Sequence, residues 1–161
     1  MNLWKCNDWS EFVDYSYKWY RPGLRLRFEK GVDAEVKRAC MDFCNWLRTQ
    51  YSFPIRVPIY FKASEFVLSQ EHKKVSATFF GPYDKRLEPY IRISTGDYYK
   101  MEKVRGRDDA LAAILGSIAH ELTHYFQWIK SLNAISTNLE RQAIYYKRKI
   151  IKEYAEIRNH P

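Results

Sequence analysis

Long hydrophobic segments are missing from this 161-residue sequence. The longest nearly apolar run, residues 110–119, contains a glycine and a serine and is too short to cross a bilayer. The N-terminal sequence MNLWKCNDWSE has no continuous apolar stretch of the kind found in secretion signals. We therefore expect no secretion signal and no interaction with a membrane.

Cysteine is also scarce. The chain contains only Cys6, Cys40 and Cys44, and an odd number without a secretion signal argues against a disulfide scaffold. Cys40 and Cys44 are one helical turn apart, but no nearby histidine or third cysteine completes a zinc site, so we interpret them as small core residues. Reduced thiols predict a cytoplasmic protein.

Internal repeats, low-complexity tracts and linkers are absent, so we predict a single domain over residues 1–161. Hydrophobic residues make up 46% of the chain, which is enough to build a folded core. Lysine and arginine outnumber aspartate and glutamate by 27 to 19, giving a net charge of +8. This excess favours acidic partners, including nucleic acid, without identifying one.

Hydrophobic periodicity predicts an α+β fold. Alternating apolar residues predict strands at 55–61, 75–80 and 90–94, and helical periods predict helices at 33–51, 108–129 and 138–157. We expect a roughly three-stranded sheet packed against these helices, because the strands precede the last two helices instead of alternating with them. Residues 33–161 would form the core, and residues 1–31, with a short strand at 24–28, would decorate it.

The residues with the clearest chemistry form an HExxH motif, His120-Glu121-Leu122-Thr123-His124. Two histidines four residues apart share one face of a helix and can bind one zinc ion. Glu121 would reach a zinc-bound water instead of the metal. Zinc lowers the pKa of such a water toward about 7, and Glu121 could accept its proton as the water attacks a carbonyl.

The surroundings of the motif favour a metal site over a pair of surface histidines. The apolar residues of the 108–129 helix cluster on one side, and the two histidines fall on the opposite side with Ala113, Gly116 and Ser117. Apart from the histidines, Glu121 is the only ionisable residue between positions 110 and 123. Both faces are therefore expected to be buried, and buried histidines need partners.

A catalytic zinc ion usually has a third protein ligand, which we expect on a later element. The acidic and histidine residues available there are Glu140, Glu153, Glu156 and His160. Glu140 lies nearest the inward face of the last predicted helix. The same residue also fits a capping box that begins at Thr137, so geometry alone leaves both roles open.

The segment Glu140-Arg-Gln-Ala143-Ile-Tyr-Tyr146 after HExxH resembles the ExxAxx[FY] pattern of ImmA/IrrE-type peptidases and related minimal gluzincins. The resemblance implies a zincin-like core with one zinc ion per chain. It also implies that His120, His124 and Glu140 bind this ion and that Glu121 is the general base. A protein or peptide would be the substrate, and a DNA-bound regulator is an implied partner.

Gluzincin substrates usually lie along an edge strand near the motif helix. The last strand before that helix carries Tyr90, Ile91, Arg92 and Ile93, which are our candidate substrate-binding residues. Tyr146 is a candidate for stabilising the oxyanion.

The alternative to an enzyme is a basic DNA- or regulator-binding module in which zinc is only structural. Residues 147–152, the densest basic run, would be its contact surface.

Overall fold

The structure is a computed structural model and describes residues 2–161. Its strands, in chain order, are β1 (Leu24–Phe28), β2 (Val57–Lys62), β3 (Val67–Leu68), β4 (Lys74–Val75), β5 (Ala77–Phe80) and β6 (Tyr90–Ser94). Its helices are α1 (Ala34–Gln50), α2 (Tyr98–Arg105), α3 (Arg107–Ile129) and α4 (Ser136–Ile157). A short 3-10 helix, Trp9–Glu11, precedes β1. The α+β class predicted from the sequence is confirmed.

A mixed four-stranded sheet in the order β1-β2-β6-β5 forms the centre of the molecule. Strands β1, β2 and β6 are parallel, whereas β5 pairs antiparallel with β6 and lies at the edge. The strand register places one apolar residue from each strand in a single row across the sheet: Leu26, Ile59, Ile91 and Phe79. This apolar row faces the helices and belongs to the core or packs against it. The remaining strands, β3 and β4, form a separate antiparallel hairpin.

Helix α1 begins where the sequence predicts. The Asp33 carboxylate accepts hydrogen bonds from the backbone N–H groups of Glu35 and Val36, which satisfies two of the free donors at the helix start. Its buried stripe includes Cys40 and Cys44, which are free thiols in the core. Their interpretation as structural core residues is therefore confirmed.

Helix α3 is the central helix of the fold. It packs against α1, α2, α4 and the sheet strands β5 and β6, so most of its residues are buried. Helix α4 lies along it and buries Ala143, Tyr146, Ile150 and Tyr154. The face of α3 that carries the HExxH histidines is therefore rigidly held next to α4. None of the helices formed by residues 2–161 combines the length and the hydropathy needed to cross a bilayer.

The prediction that residues 1–31 decorate the core is wrong. Strand β1 is part of the main sheet, which therefore has four strands and not about three. Upstream of it, Trp4 is fully buried, and its ring lies 5.1 Å from that of Phe126 and 5.0 Å from that of Tyr51. This N-terminal segment thus contributes core residues.

The prediction that residues 90–94 form an edge strand is also wrong. Strand β6 lies inside the sheet because β2 pairs with one side of it and β5 with the other. The backbone of Tyr90, Ile91, Arg92 and Ile93 is therefore already paired and cannot receive a substrate strand. The edge strand on this side of the sheet is β5.

Candidate metal centre

Two turns of α3 present His120 and His124 on the side that faces α4. Their imidazole rings have centroids 5.0 Å apart, which follows from their spacing of four residues on one helix. The two side chains are 20% and 18% exposed. Because the rest of α3 is packed on several sides, the helix fixes the position of both rings while leaving them accessible from one direction.

Glu140 reaches this pair from the first turns of α4. One carboxylate oxygen lies 3.1 Å from His120 Nε2 and the other lies 2.9 Å from His124 Nε2. All three donor atoms lie within 4.8 Å of one another. Two ligand atoms on a tetrahedral zinc ion are about 3.3 Å apart, so this His-His-Glu set could hold one metal ion if its donor atoms closed around it.

The alternative role for Glu140, in a capping box that begins at Thr137, is not observed. Helix α4 starts at Ser136, and its N-cap position, Ile135, has no side-chain hydrogen bond to the first turn. Glu140 is therefore the fifth residue of the helix, and its carboxylate contacts the two histidines and not the backbone of the first turn.

The other candidates for a third ligand lie elsewhere. Glu153 accepts a hydrogen bond of 3.2 Å from the Tyr51 hydroxyl. His160 pairs with Asp108 at the opposite end of α3, with an Nδ1–Oδ2 distance of 2.5 Å. Glu156 is exposed on α4. Among residues 2–161, the one group of three or more potential metal ligands is His120, His124 and Glu140.

Gln127 is a site residue that the sequence analysis missed. Its side-chain oxygen lies 2.7 Å from His124 Nδ1, and its side-chain nitrogen donates to the Leu139 carbonyl and to Gln142 Oε1 at 3.0 and 2.9 Å. The residue is 5% exposed. Gln127 therefore connects one histidine of α3 to the start of α4. A polar residue in the otherwise apolar sequence YFQWI, three positions after His124, was the available signal.

These contacts fix which ring nitrogen of His124 faces Glu140. Because the Gln127 nitrogen already faces two oxygen acceptors, its oxygen must be the end that faces the imidazole. His124 Nδ1 then donates a hydrogen bond, and Nε2 is the ring nitrogen that faces Glu140, 2.9 Å from its carboxylate. A lone pair and a carboxylate repel one another unless a proton or a metal ion lies between them. A histidine held in this way by a second hydrogen bond is typical of metal sites.

The electrostatic environment favours the neutral form of His120. Burial lowers its pKa, and the nearby His124 and the Lys147 ammonium lower it further, whereas Glu140 acts in the opposite direction. Neutral imidazole is the form that binds metal. The Lys147 side chain passes over Gly116, where an added Cβ would lie 2.9 Å from Lys147 Cε. The missing side chain at Gly116 therefore leaves room for this lysine next to the histidines.

Glu121 lies beside the candidate metal ligands but has a different environment. It is 7% exposed, and burial, with a smaller contribution from the Glu140 charge, raises its pKa to about 8. Within the described part of the chain it makes no side-chain hydrogen bond or ion pair. A divalent cation nearby would favour the carboxylate and lower this pKa again. Its carboxyl group is thus free to interact with a water molecule.

Tyr146, a candidate for stabilising an oxyanion, has a structural role here. Its hydroxyl accepts a hydrogen bond of 2.8 Å from the backbone N–H of Leu3, and the residue is 6% exposed. This hydroxyl therefore anchors the N-terminal segment on α4. The basic run 147–152 has exposed side chains at Arg148 and Lys152, whereas Ile150 is buried in the core.

Strand β5 is the sheet edge that lies along α3. The Phe79 ring packs 6.1 Å from the ring of Trp128, one turn beyond His124. Ser76 accepts a backbone hydrogen bond from Ser94 on β6. Because antiparallel ladders alternate, the backbone groups of Ala77 and Phe79 point away from β6. They have no strand partner within residues 2–161.

No protein-family model matches the chain, and comparisons with curated proteins and with solved structures give no significant match. The likeness to ImmA/IrrE-type peptidases therefore depends on the two sequence motifs alone.

Proposed function

We propose that this protein is a zinc-dependent metallopeptidase of the gluzincin type. The observation that carries the proposal is the convergence of His120 and His124 from α3 with Glu140 from α4, with their donor atoms within 4.8 Å of one another. The ExxAxx[FY] resemblance of residues 140–146 supports it. A mixed sheet with an antiparallel edge strand along the motif helix also fits a zincin-like core.

The three converging side chains would hold one zinc ion per chain. The two imidazoles offer Nε2 and Glu140 offers a carboxylate oxygen, a donor set typical of catalytic zinc, which keeps a further position for water. When bound, zinc supplies Lewis acidity and lowers the pKa of water toward about 7. Gln127 would keep His124 in the tautomer that binds metal.

Glu121 would act as general base and then as general acid. It accepts a proton from the attacking water as the water oxygen bonds to the peptide carbonyl carbon. It passes this proton to the amide nitrogen as the C–N bond breaks. Its burial and its lack of a fixed hydrogen-bond partner among the described residues support this role.

An extended protein or peptide segment is the substrate that fits this site best. The free backbone groups of Ala77 and Phe79 on β5 could pair with it in the manner of an added strand. Phe79 on this edge packs against Trp128, one turn beyond His124 on α3. Free cysteines are consistent with action in the reducing environment of the cytoplasm.

Glu121→Gln tests the enzymatic role. The variant should keep one equivalent of zinc, because an amide at this position would not alter the three ligands. Cleavage of a quenched fluorescent peptide library should fall by about 10²- to 10⁴-fold, the usual contribution of a general base. Glu156→Gln, which changes an exposed carboxylate on α4, is the matched control and should cleave normally. A zinc-free wild-type protein, or full activity in Glu121→Gln, would contradict the proposal.

A further inference from the structure

One face of the sheet is partly open to solvent within residues 2–161. Side chains alternate across a strand, and the residues that follow the buried apolar row point to the opposite face. On β1 these are Arg25 and Arg27, both exposed. On β2 the corresponding side chain is Tyr60, which is 37% exposed. These residues lie on the side away from α3, so the properties of this face do not depend on the metal centre.

Three aromatic rings lie next to one another on this open face. The Tyr60 and Tyr90 rings have centroids 6.3 Å apart, and those of Tyr90 and Phe80 are 5.1 Å apart. The Arg92 guanidinium lies 4.9 Å from the centre of the Tyr90 ring. In register, Arg27 pairs with Tyr60, and Tyr60 with Arg92. Rings and guanidinium groups therefore alternate across neighbouring strands.

The strand residues of the open face carry only positive charge. The four strands of the sheet carry Arg25, Arg27, Lys62 and Arg92 and contain no aspartate or glutamate. Lys62 forms an ion pair with Glu29 at 3.3 Å, whereas the three arginines have no such partner within residues 2–161. Three guanidinium groups, next to the exposed Tyr60 and the half-buried Phe80 and Tyr90 rings, thus remain available for an anionic ligand.

The β3–β4 hairpin borders this face on one side. Residues from its 68–72 turn form a groove of 320 Å³ together with Thr78, Phe80, Tyr90 and Arg92. The floor of the groove is therefore formed by two of the rings and one of the arginines. A flat unpaired base could enter this groove, and its phosphates could then contact the arginines on β1.

We infer that the open sheet face, formed by Arg25, Arg27, Tyr60, Phe80, Tyr90 and Arg92, binds single-stranded nucleic acid. Aromatic rings stack on unpaired bases, and cations near them neutralise the phosphates. A duplex would present only its phosphates to such a face, because its bases are already stacked on one another. An acidic peptide would use the arginines but would not explain the cluster of three rings.

The first experiment measures binding of the full chain to a fluorescent oligothymidylate of about 12 nucleotides by anisotropy, at roughly 50 mM salt. The single strand should bind more tightly than a duplex of the same length. Tyr60→Ala should weaken binding by roughly 5- to 150-fold, the usual effect of losing one stacking ring. Tyr60→Phe keeps the ring and should retain binding. Circular dichroism confirms that each variant is folded.

A matched pair of charge variants tests the location of the site. Arg25→Gln combined with Arg27→Gln should reduce the salt dependence of binding, by about 0.7 in the log–log slope for each lost phosphate contact. Arg148→Gln combined with Lys152→Gln removes the same charge from exposed positions on α4 and should leave binding nearly unchanged. Equal losses in both double variants would indicate non-specific attraction and overturn the inference. Absence of binding, equal binding of duplex and single strand, or wild-type affinity in Tyr60→Ala would also overturn it.

Discussion

The amide of Gln127 shows how a single residue can control the candidate metal centre. Gln127→Met keeps the size of the side chain but removes the acceptor of His124 Nδ1 and the donor to Leu139 and Gln142. The His124 ring would lose both its fixed tautomer and its orientation. We expect the zinc dissociation constant to rise by about 10- to 100-fold, as measured by competition with a chromophoric chelator.

Gln142→Met is the control for this prediction. It removes one partner of the Gln127 nitrogen but leaves the contact between Gln127 and His124 in place. Its effect on zinc affinity should therefore be smaller. If Gln127→Met bound zinc as tightly as the wild type, the hydrogen bond to His124 would have no role in metal binding.

For individual site residues, the sequence predicted contacts within one helix better than contacts between residues that are far apart in the chain. The geometry of one helix fixes the relation between His120 and His124, so their pairing could be predicted from spacing alone. Glu140 lies on a different helix, and its position depends on how α4 packs against α3. The helical wheel left both a ligand and a capping role open, and the resemblance favoured the ligand role.

Glu35 links two elements, because its carboxylate bonds to Arg38 on α1 and to Arg107 at the start of α3. The hydrogen bonds from these arginines lower its pKa from 4.5 to about 2. Because the folded-state pKa is depressed, the stabilisation is present above about pH 4.5 and is lost as the pH falls toward 2. Glu35→Gln should therefore flatten the loss of stability between pH 4.5 and 2, measured by denaturant unfolding across that range.

Glu156→Gln serves as the control for this pH dependence. Glu156 is exposed on α4 and forms no ion pair in the described part of the chain. Its variant should keep the wild-type decline of stability in acid. A Glu35→Gln variant whose stability still falls as steeply as that of the wild type would show that the Glu35 pairs contribute nothing to the folded state.

The start of α1 was predicted more accurately than the order of the strands in the sheet. Asp33 and the apolar period of α1 are local signals, and they predicted its start within one residue. Strand order depends on pairing between distant segments, so the alternation of residues 90–94 predicted a strand but not its interior position. Helix α2 was missed because Tyr98 is the one buried residue in its eight positions, which leaves almost no periodic signal.

In the whole molecule, the N-terminal segment connects α3 to α4. The Trp4 indole donates to the Thr123 hydroxyl on α3 at 3.2 Å, and the Leu3 N–H donates to the Tyr146 hydroxyl on α4. This segment therefore holds together the same two helices that supply the proposed metal ligands. Its aromatic residues have no regular spacing in the sequence, so the sequence indicated packing on the main body but not entry into the core.

Zinc should stabilise the entire fold, because its proposed ligands come from α3 and α4. A ligand present at about 100 times its dissociation constant adds about 2.7 kcal/mol to the free energy of unfolding. For a domain of this size, that corresponds to a rise of roughly 5–10 °C in Tm. Removing the metal with a chelator should lower Tm by this amount, as followed by differential scanning calorimetry. The buried Ala143, Tyr146 and Ile150 should still keep α4 docked.

Glu140→Ala should abolish most of this zinc-dependent increase in Tm and lower the zinc content, because only two ligands would remain. Glu153→Ala is the matched control on the same helix. It removes a carboxylate that contacts Tyr51 and not the histidines, so it should keep its zinc and its response to the chelator. If Glu153→Ala lost zinc while Glu140→Ala retained it, the third ligand would be Glu153.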